Sequence, residues 1–329
     1  MGSPDLTRPE GLQLIIARKV QIISLPEIRA ALHDGDLIGS MRAALIAQSR
    51  GECDTPMPMH LGIAPVSGEV HIKSSYRRGG KYFALKIAST FPGNSALGLS
   101  TGNGMMLLCS AGTGEPLALL ADEGHLTDVR TAAVAAMAAR ELKRDDHAIG
   151  IIGAGIQARL QARMHAEVLD LREVWLWGRT PERAAACRDD LRAQLPGVAI
   201  ALAASPAEVA AHARLLITVT ASRQPLLRVD DLQPGTHISA VGSDSPGKQE
   251  LDPHILRRAA LVLADSIAQC EKLGELQHAR EQTLRAVELG AFCDSGTGWS
   301  RGGATVCDFT GLGVEDLFIA EYCYENRNL

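Results

Sequence analysis

Between Leu25 and Gly51, in LPEIRAALHDGDLIGSMRAALIAQSRG, apolar residues return at helical spacing, and the pattern predicts helix. Alternation with a period of two follows in GEVHIKSSYR and KYFALKIAST, which read as two strands joined by a turn at Gly79 and Gly80. MMLLCSAGTGEPLALLADEG reads as a further hairpin around Gly112 to Gly114. This first region is therefore α+β with antiparallel pairing. In HLTDVRTAAVAAMAARELKR the character changes: Thr127 is placed to cap a helix whose alanine-rich body runs to Leu142.

From Ala148 onward the segments AIGIIGAG, QARLQARMHAEVL, REVWLWGR, PERAAACRDDLRAQL, LLITVTA and HISAVGS set up a βαβαβ rhythm. That rhythm predicts a parallel, doubly wound α/β sheet, and the wholly apolar IGII suits a strand covered on both faces. No repeat or low-complexity tract interrupts the chain.

Composition narrows the class. With 329 residues the chain can bury a large core and hold two domains. Its 33 Lys plus Arg against 38 Asp plus Glu give a formal −5, no field for nucleic acid or an anionic membrane. Seven cysteines form no C-x-x-C pair and are odd in number, which points away from a disulfide framework and towards a reducing cytoplasm. The opening MGSPDLTRPEGLQL lacks a charged region followed by an apolar one, and no stretch reaches the length of a membrane span.

GIIGAGIQARLQA carries the G-x-G-x-x-G/A fingerprint of dinucleotide binding. Gly153 permits the tight turn, Gly155 lets backbone approach a pyrophosphate, and Ala158 lets helix pack on strand. Ala154, Ile156 and Gln157 fill the loop, whose free N–H groups and helix dipole favour phosphate. At the end of the next strand, where an NAD-preferring site places a carboxylate, stands Gly178. Arg179 and Thr180 follow it and could embrace a 2′-phosphate, so the cofactor is expected to be NADP(H) or NAD(H), leaning to NADP(H). The plainer reading has Arg179 capping the next helix or facing solvent.

Other polar residues interrupt apolar surroundings. Lys73 and Lys86 lie within strand patterns, and Arg130 sits one turn into the alanine-rich helix. Converging, the three would clamp a carboxylate, Arg130 bidentately. Thr218, Thr220, Ser222 and Gly242 fall at strand ends, at the carboxyl edge where open α/β sheets bind ligands. AVGSDSPGKQEL nearly matches a phosphate loop through Gly242, Gly247 and Lys248, but Gln249 stands where a Ser or Thr should bind magnesium. An acid, Asp244, presented on a turn is the alternative, and so is a simple Asp-Ser-Pro-Gly turn.

GHLTDVRTAAVAA, the lysine in YFALKIASTFPGN, GAGIQA and VGSDSPGKQEL, in this order and spacing, resemble the ornithine cyclodeaminase and mu-crystallin family, nearest its EutC-like and iminosuccinate reductase branch. The resemblance runs from about Ile22 to the TVCDFTGLGVEDLFIAEY segment. It implies an NAD(P)-dependent homodimer acting at an amino or imino carbon beside a carboxylate. It further implies a Rossmann domain at 143–302 and a substrate-binding and dimerisation domain built from 1–142 and 303–329. Lys86 matches the family's active-site lysine, Arg130 its carboxylate-binding arginine and Asp244 its catalytic aspartate, which makes the phosphate-loop likeness coincidental. Many members carry a further arginine where this chain has Pro58, and mu-crystallin-like relatives have an apolar residue where it has Lys73. Lys73 is thus a candidate to restore the lost charge, for an acid with a second carboxylate such as iminosuccinate.

The expected function is NAD(P)H-dependent reduction of a small ketimine or imino acid, with Asp244 handling the proton and Lys86, Arg130 and Lys73 fixing the carboxylate. Alternatives are ornithine cyclodeamination, without net redox, and a non-enzymatic NADPH-dependent ligand carrier. His60, His71 and His125 show no ligand-like spacing, so no metal is expected, and no G-x-S-x-G elbow presents a serine. CDSGTGWSRGG, residues 293 to 303, reads as a loop closing the cofactor site, and Trp175 and Trp177 as packing residues.

Overall fold

The structure is a computed structural model and describes residues 20–279, 285–296, 299 and 302–327. A mixed sheet is formed by β1 (Gln21–Ser24), β2 (Cys53–Asp54), β3 (Met59–Ile63), β4 (Gly68–Arg77), β5 (Tyr82–Thr90), β6 (Gly102–Ser110) and β7 (Pro116–Ala121). Its order is β1-β7-β6-β5-β4-β2, with β3 also on β4, and only the β1–β7 pairing is parallel. The expected hairpins at Gly79–Gly80 and Gly112–Gly114 are both present.

A second, wholly parallel sheet contains β8 (Ala148–Ile152), β9 (Glu173–Trp177), β10 (Ala199–Leu202) and β11 (Leu215–Thr218). β12 (Arg223–Leu227) stands apart, β13 (His237–Ala240) rejoins the sheet, and β14 (Gln249–Leu251) pairs with β12 alone. β15 (Leu261–Ala264), β16 (Ala286–Glu288) and β17 (Thr305–Asp308) complete it, in the order β10-β9-β8-β11-β13-β17-β15-β16. Strand order reverses between β8 and β11, which opens a crevice at their carboxyl ends. This is the doubly wound α/β architecture beside an α+β lobe. One boundary moves: β17 pairs with β13 and β15, so the chain leaves the parallel sheet only after Asp308, not at 303.

The helices are α1 (Leu25–Ala31), α2 (Asp34–Ser49), α3 (His125–Glu141), α4 (Ile156–Ala166), α5 (Pro181–Gln194), α6 (Pro206–His212), α7 (Pro253–Arg258), α8 (Ile267–Leu273), α9 (Leu289–Ser295) and α10 (Gly313–Asn326). The single helical pattern over 25–51 is two helices, because Leu32 takes an extended conformation after α1. α3 starts two residues before Thr127. Gly124, in the left-handed region at φ +88°, turns the chain, and Asp122 Oδ2 accepts the Leu126 N–H at 2.8 Å. Thr127 is thereby freed to line a cleft.

α3 is the axis of the molecule. Its run of alanines from Ala132 to Ala139 is almost wholly buried, and the small side chains let α2, α4 and α10 pack closely on it. α10 then lies across β4 and β5. At its first residue, a Cβ on Gly313 would stand 2.5 Å from the Ser74 carbonyl oxygen, so only glycine allows this approach. Among the described residues no helix is long and apolar enough to cross a membrane.

Gly313→Ala should therefore push α10 off β4. A loss of about 1–3 kcal/mol in denaturant unfolding is expected, and an unchanged midpoint would contradict this packing.

Candidate active site

A cleft of about 590 Å³ lies where the mixed sheet faces the carboxyl edge of the parallel sheet. One wall is charged and buried. Lys73 and Lys86 are direct cross-strand partners on β4 and β5, so both ammonium groups leave the same face. Arg130 reaches the same place from α3, and the C-terminal segment answers with Glu315 and Asp316 at the start of α10.

The contacts are short. Lys86 Nζ lies 2.8 Å from Asp316 Oδ1, and Arg130 Nε donates to the same oxygen at 3.1 Å. Arg130 Nη1 donates to Glu315 Oε2 at 2.9 Å. Lys73 is different: its Nζ donates to the carbonyls of Thr310 and Gly311, at 3.1 and 2.7 Å, and among the described residues no carboxylate pairs with it. Gly311, at φ +71°, is obligatory, since a Cβ there would stand 2.5 Å from Arg130 Nη1. Asp265 holds that loop by accepting the N–H groups of Thr310 and Gly311 at 2.7 and 2.6 Å.

Burial sets the proton affinities. Desolvation, opposed by Asp316 and reinforced by Arg130 and Lys73, brings the Lys86 ammonium down to about 7. Lys73 is lowered too, first by desolvation and then by Arg130. Desolvation raises Glu315 to about 7 against the pull of Arg130. Asp316 stays below the usual carboxylate range, because the charges of Lys86, Arg130 and Lys73 outweigh its desolvation. Lys73, Lys86 and Arg130 thus face Glu315 and Asp316, with Asp265 close behind. Among the described residues Lys73 is the one cation of the three with no carboxylate partner.

Asp244 stands across the cleft on the turn between β13 and β14, where Gly247 takes φ +74°. Lys248, which the phosphate-loop pattern had made suspect, donates to Asp244 Oδ1 at 2.6 Å. Against desolvation, Lys248's charge and hydrogen bond hold the Asp244 carboxyl below its ordinary range. The side chain remains half-exposed to the cleft. Behind the turn, buried Glu250 accepts the Thr220 N–H and Oγ at 2.6 and 2.7 Å and the Gly242 N–H at 2.9 Å, tying two strand ends together. Its N–H is in turn taken by Glu275 at 2.6 Å, whose carboxyl burial raises to about 9.

The expected cofactor residues divide. Ile156, Gln157, Thr220 and Gly242 line the cleft, whereas Thr218 is buried beneath it and the Ser222 hydroxyl donates to the Gln224 carbonyl at 2.7 Å, a local turn. Gly153 sits at φ +132° with its Cβ position 2.7 Å from the Val219 carbonyl oxygen, and Ala158, in the first turn of α4, is fully buried. Gly155 is the N-cap of α4, no side chain caps it, and nothing lies within 4 Å of its Cβ position. Open backbone at an uncapped helix start suits a pyrophosphate, so the residues fit a dinucleotide. Arg159 Nη1 fixes the loop by donating to the carbonyls of Ala154 and Gly155 at 3.2 and 3.0 Å, and Gln157 Nε2 donates to the Asp128 carbonyl at 3.0 Å.

Gly178 at the end of β9 has a packing reason: a Cβ would stand 2.7 Å from that of Ala154. Beyond it Arg179 is exposed and Thr180 is the N-cap of α5. Trp175 stacks on His212 with ring centroids 3.6 Å apart, in keeping with packing. Of the loop 293–303, residues 297, 298, 300 and 301 lie outside the described residues, as does the sequence before residue 20.

Sequence reasoning missed Glu315, Asp316, Glu250 and Arg159, and met Lys248 only as part of a coincidental phosphate-loop likeness. The lack of ligand-like spacing among the histidines holds along the sequence but not in space. Antiparallel register places His60 directly opposite His71, with Glu69 Oε2 3.8 Å from His71 Nε2. The two imidazoles come from adjacent strands, which linear spacing does not reveal.

Comparison with known proteins agrees with this layout. The sequence description of the ornithine cyclodeaminase/mu-crystallin family matches residues 20–328. The alanine dehydrogenase of Archaeoglobus fulgidus is 31% identical over 93% of this chain and 94% of its own. The delta(1)-pyrroline-2-carboxylate reductase of Bacillus cereus is 32% identical over 92% and 95%. Among solved structures, an archaeal alanine dehydrogenase dimer with bound NAD is 27% identical with a TM-score of 0.85, over 94% of this chain and 97% of that one. The iminosuccinate reductase of Paracoccus denitrificans in complex with NAD+ is also 27% identical, with a TM-score of 0.84, over 94% and 96%. By extent of match and by fold, the chain belongs to the ornithine cyclodeaminase/mu-crystallin family.

Proposed function

We propose that the protein is an NAD(P)H-dependent reductase of small ketimine or imino acids that also runs in reverse as an amino-acid dehydrogenase. The observation that carries this reading is the buried wall of Lys73, Lys86 and Arg130, in which Lys73 bonds only carbonyls, facing an ionised Asp244 across a single cleft. A nicotinamide, when bound, supplies or takes up the hydride. The remaining work belongs to the chain. Arg130 and Lys86 draw the substrate carboxylate against the wall, which fixes the neighbouring carbon for attack. Asp244, kept ionised by Lys248, stabilises a protonated iminium, the form of the substrate that accepts hydride. In the reverse direction it takes the amine's proton.

Lys73 adds a cation beside the clamp, and Pro58 lines the cleft where the family resemblance leads to an expected arginine. This supports a dicarboxylic substrate such as iminosuccinate, although two of Lys73's hydrogens are spent on carbonyls. The cyclodeaminase reading needs the same clamp but would release ammonia without consuming NAD(P)H. The carrier reading has no use for an acid at Asp244. Exposed Arg179 and Thr180 beside Gly178 support NADP(H) over NAD(H).

Homodimerisation is supported by the outer face of the mixed sheet. Met59, Ile72, Ile87 and Met105 form a cross-strand row there, and Ile22, Leu119, Leu107 and Leu85 form another. Ile22, Met59, Ile87 and Met105 are exposed in the single chain.

Oxidation of NADH and of NADPH, followed by absorbance with 2-oxo acids plus ammonia or methylamine, should find turnover with pyruvate, glyoxylate or oxaloacetate and a higher kcat/KM with NADPH. Asp244→Asn should lower kcat by about 100-fold or more with cofactor affinity retained. Lys73→Ala should raise KM mainly for the dicarboxylic acid. Ammonia release from ornithine without net NAD(P)H loss would instead favour the cyclodeaminase. Ile87→Glu should turn a dimer into a monomer by light scattering, and an unchanged dimer mass would remove this sheet face as the interface.

A further inference from the structure

Glu69, His71 and Lys73 occupy alternate positions on β4, so all three point to the face that carries Lys86. His60, on the free edge strand β3, meets His71 with ring centroids 4.9 Å apart. One ligand atom from each of His60, Glu69 and His71 lies within 4.8 Å of the others. Glu69 and His71 line the cleft together with Asp244, and nothing in the reaction proposed above uses either of them or His60. Two imidazoles and a carboxylate therefore converge further along β4 than the carboxylate clamp.

We propose that His60, Glu69 and His71 bind a divalent transition-metal ion of the zinc class, with the remaining coordination position turned into the cleft. Two histidines and a glutamate are a donor set of open zinc sites, with bonds of about 2.0–2.2 Å. The three side chains must close inward, and His60, exposed, has room to do so. Calcium and magnesium are poorly served, since they require more oxygen ligands. Deeper in the same cleft Lys73 and Lys86 repel cations, which confines the ion to the rim. On the imino-acid reading, an ion there would receive a second donor group on the substrate's side chain. Metal binding itself does not rest on that reading.

The test is calorimetric titration of Zn2+ into the tag-free, chelator-washed full chain without substrate, repeated for His60→Ala, His71→Ala and Glu69→Gln. One ion per chain at micromolar or tighter affinity is expected, weakened about 100-fold or more in each variant. The seven cysteines are buried and free, so they offer little competition. Co2+ should give the visible absorption of a four- or five-coordinate ion in the parent chain and lose it in His60→Ala, whose edge-strand position keeps the fold intact. Absence of binding up to millimolar Zn2+, or binding equal in all three variants, overturns the site. Zinc binding lost in the variants but without effect on the KM of any imino acid leaves the site standing and contradicts the role for the substrate side chain. A protein that binds zinc but reduces no imino acid contradicts only the reductase reading.

Discussion

Burying three cations on one wall is the constraint from which the rest follows. Removing an ion from water costs several kcal/mol even after relaxation, and stripping one partner from a buried pair typically costs about 3–5 kcal/mol. Lys73, Lys86 and Arg130 are therefore tolerable only if the C-terminal segment returns to meet them. It does so through the Thr310 and Gly311 carbonyls and the Glu315–Asp316 pair. Gly311 and Gly313 are the points at which side chains would block that return. The compensation leaves Lys73 with carbonyl partners alone, and on the proposed reading a substrate carboxylate would supply the missing counter-charge.

The opposite wall is built by different means. Strand order in the parallel sheet reverses between β8 and β11, and the crevice there collects Thr220, Gly242 and the turn that carries Asp244. Glu250 couples these strand ends, and Glu275 couples Glu250 to the α8 side of the sheet. Lys248 adjusts the acid directly: a carboxylate half-open to the cleft is kept ionised by a lysine one helical turn's spacing away in sequence. The two walls have opposite sign, an arrangement that on the proposed reading would orient an amino or imino acid.

Much of this was legible beforehand. The hairpins, the alanine-rich helix and the doubly wound sheet follow from periodicity and motif, whereas the gathering of Lys86, Arg130 and Asp244 about one cleft was implied only by the family resemblance. What stayed hidden has a common cause. Glu315 and Asp316 resemble ordinary acids of a helix first turn, and only tertiary packing makes them counter-ions. His60 and His71 are neighbours by strand register, which one sequence does not specify. β17 follows a glycine-rich stretch that looks like a linker, yet it pairs between β13 and β15. Ser222 stood at a strand end as a cofactor candidate but is used by its own turn.

The most direct measurement is the proton uptake that accompanies carboxylate binding. Lys86, brought to about 7 mainly by desolvation, is largely neutral above that pH in the free protein. A bound carboxylate would raise its proton affinity again, towards the ordinary lysine value of about 10.4. Calorimetry at about pH 8 in two buffers of different ionisation enthalpy, with cofactor-loaded protein and whichever of L-alanine, L-proline or L-aspartate binds, reads this uptake. Close to one proton taken up per carboxylate bound, and none in Lys86→Met, is the expected result. Binding with no proton linkage in the parent chain would contradict the incompletely neutralised wall as the seat of substrate recognition.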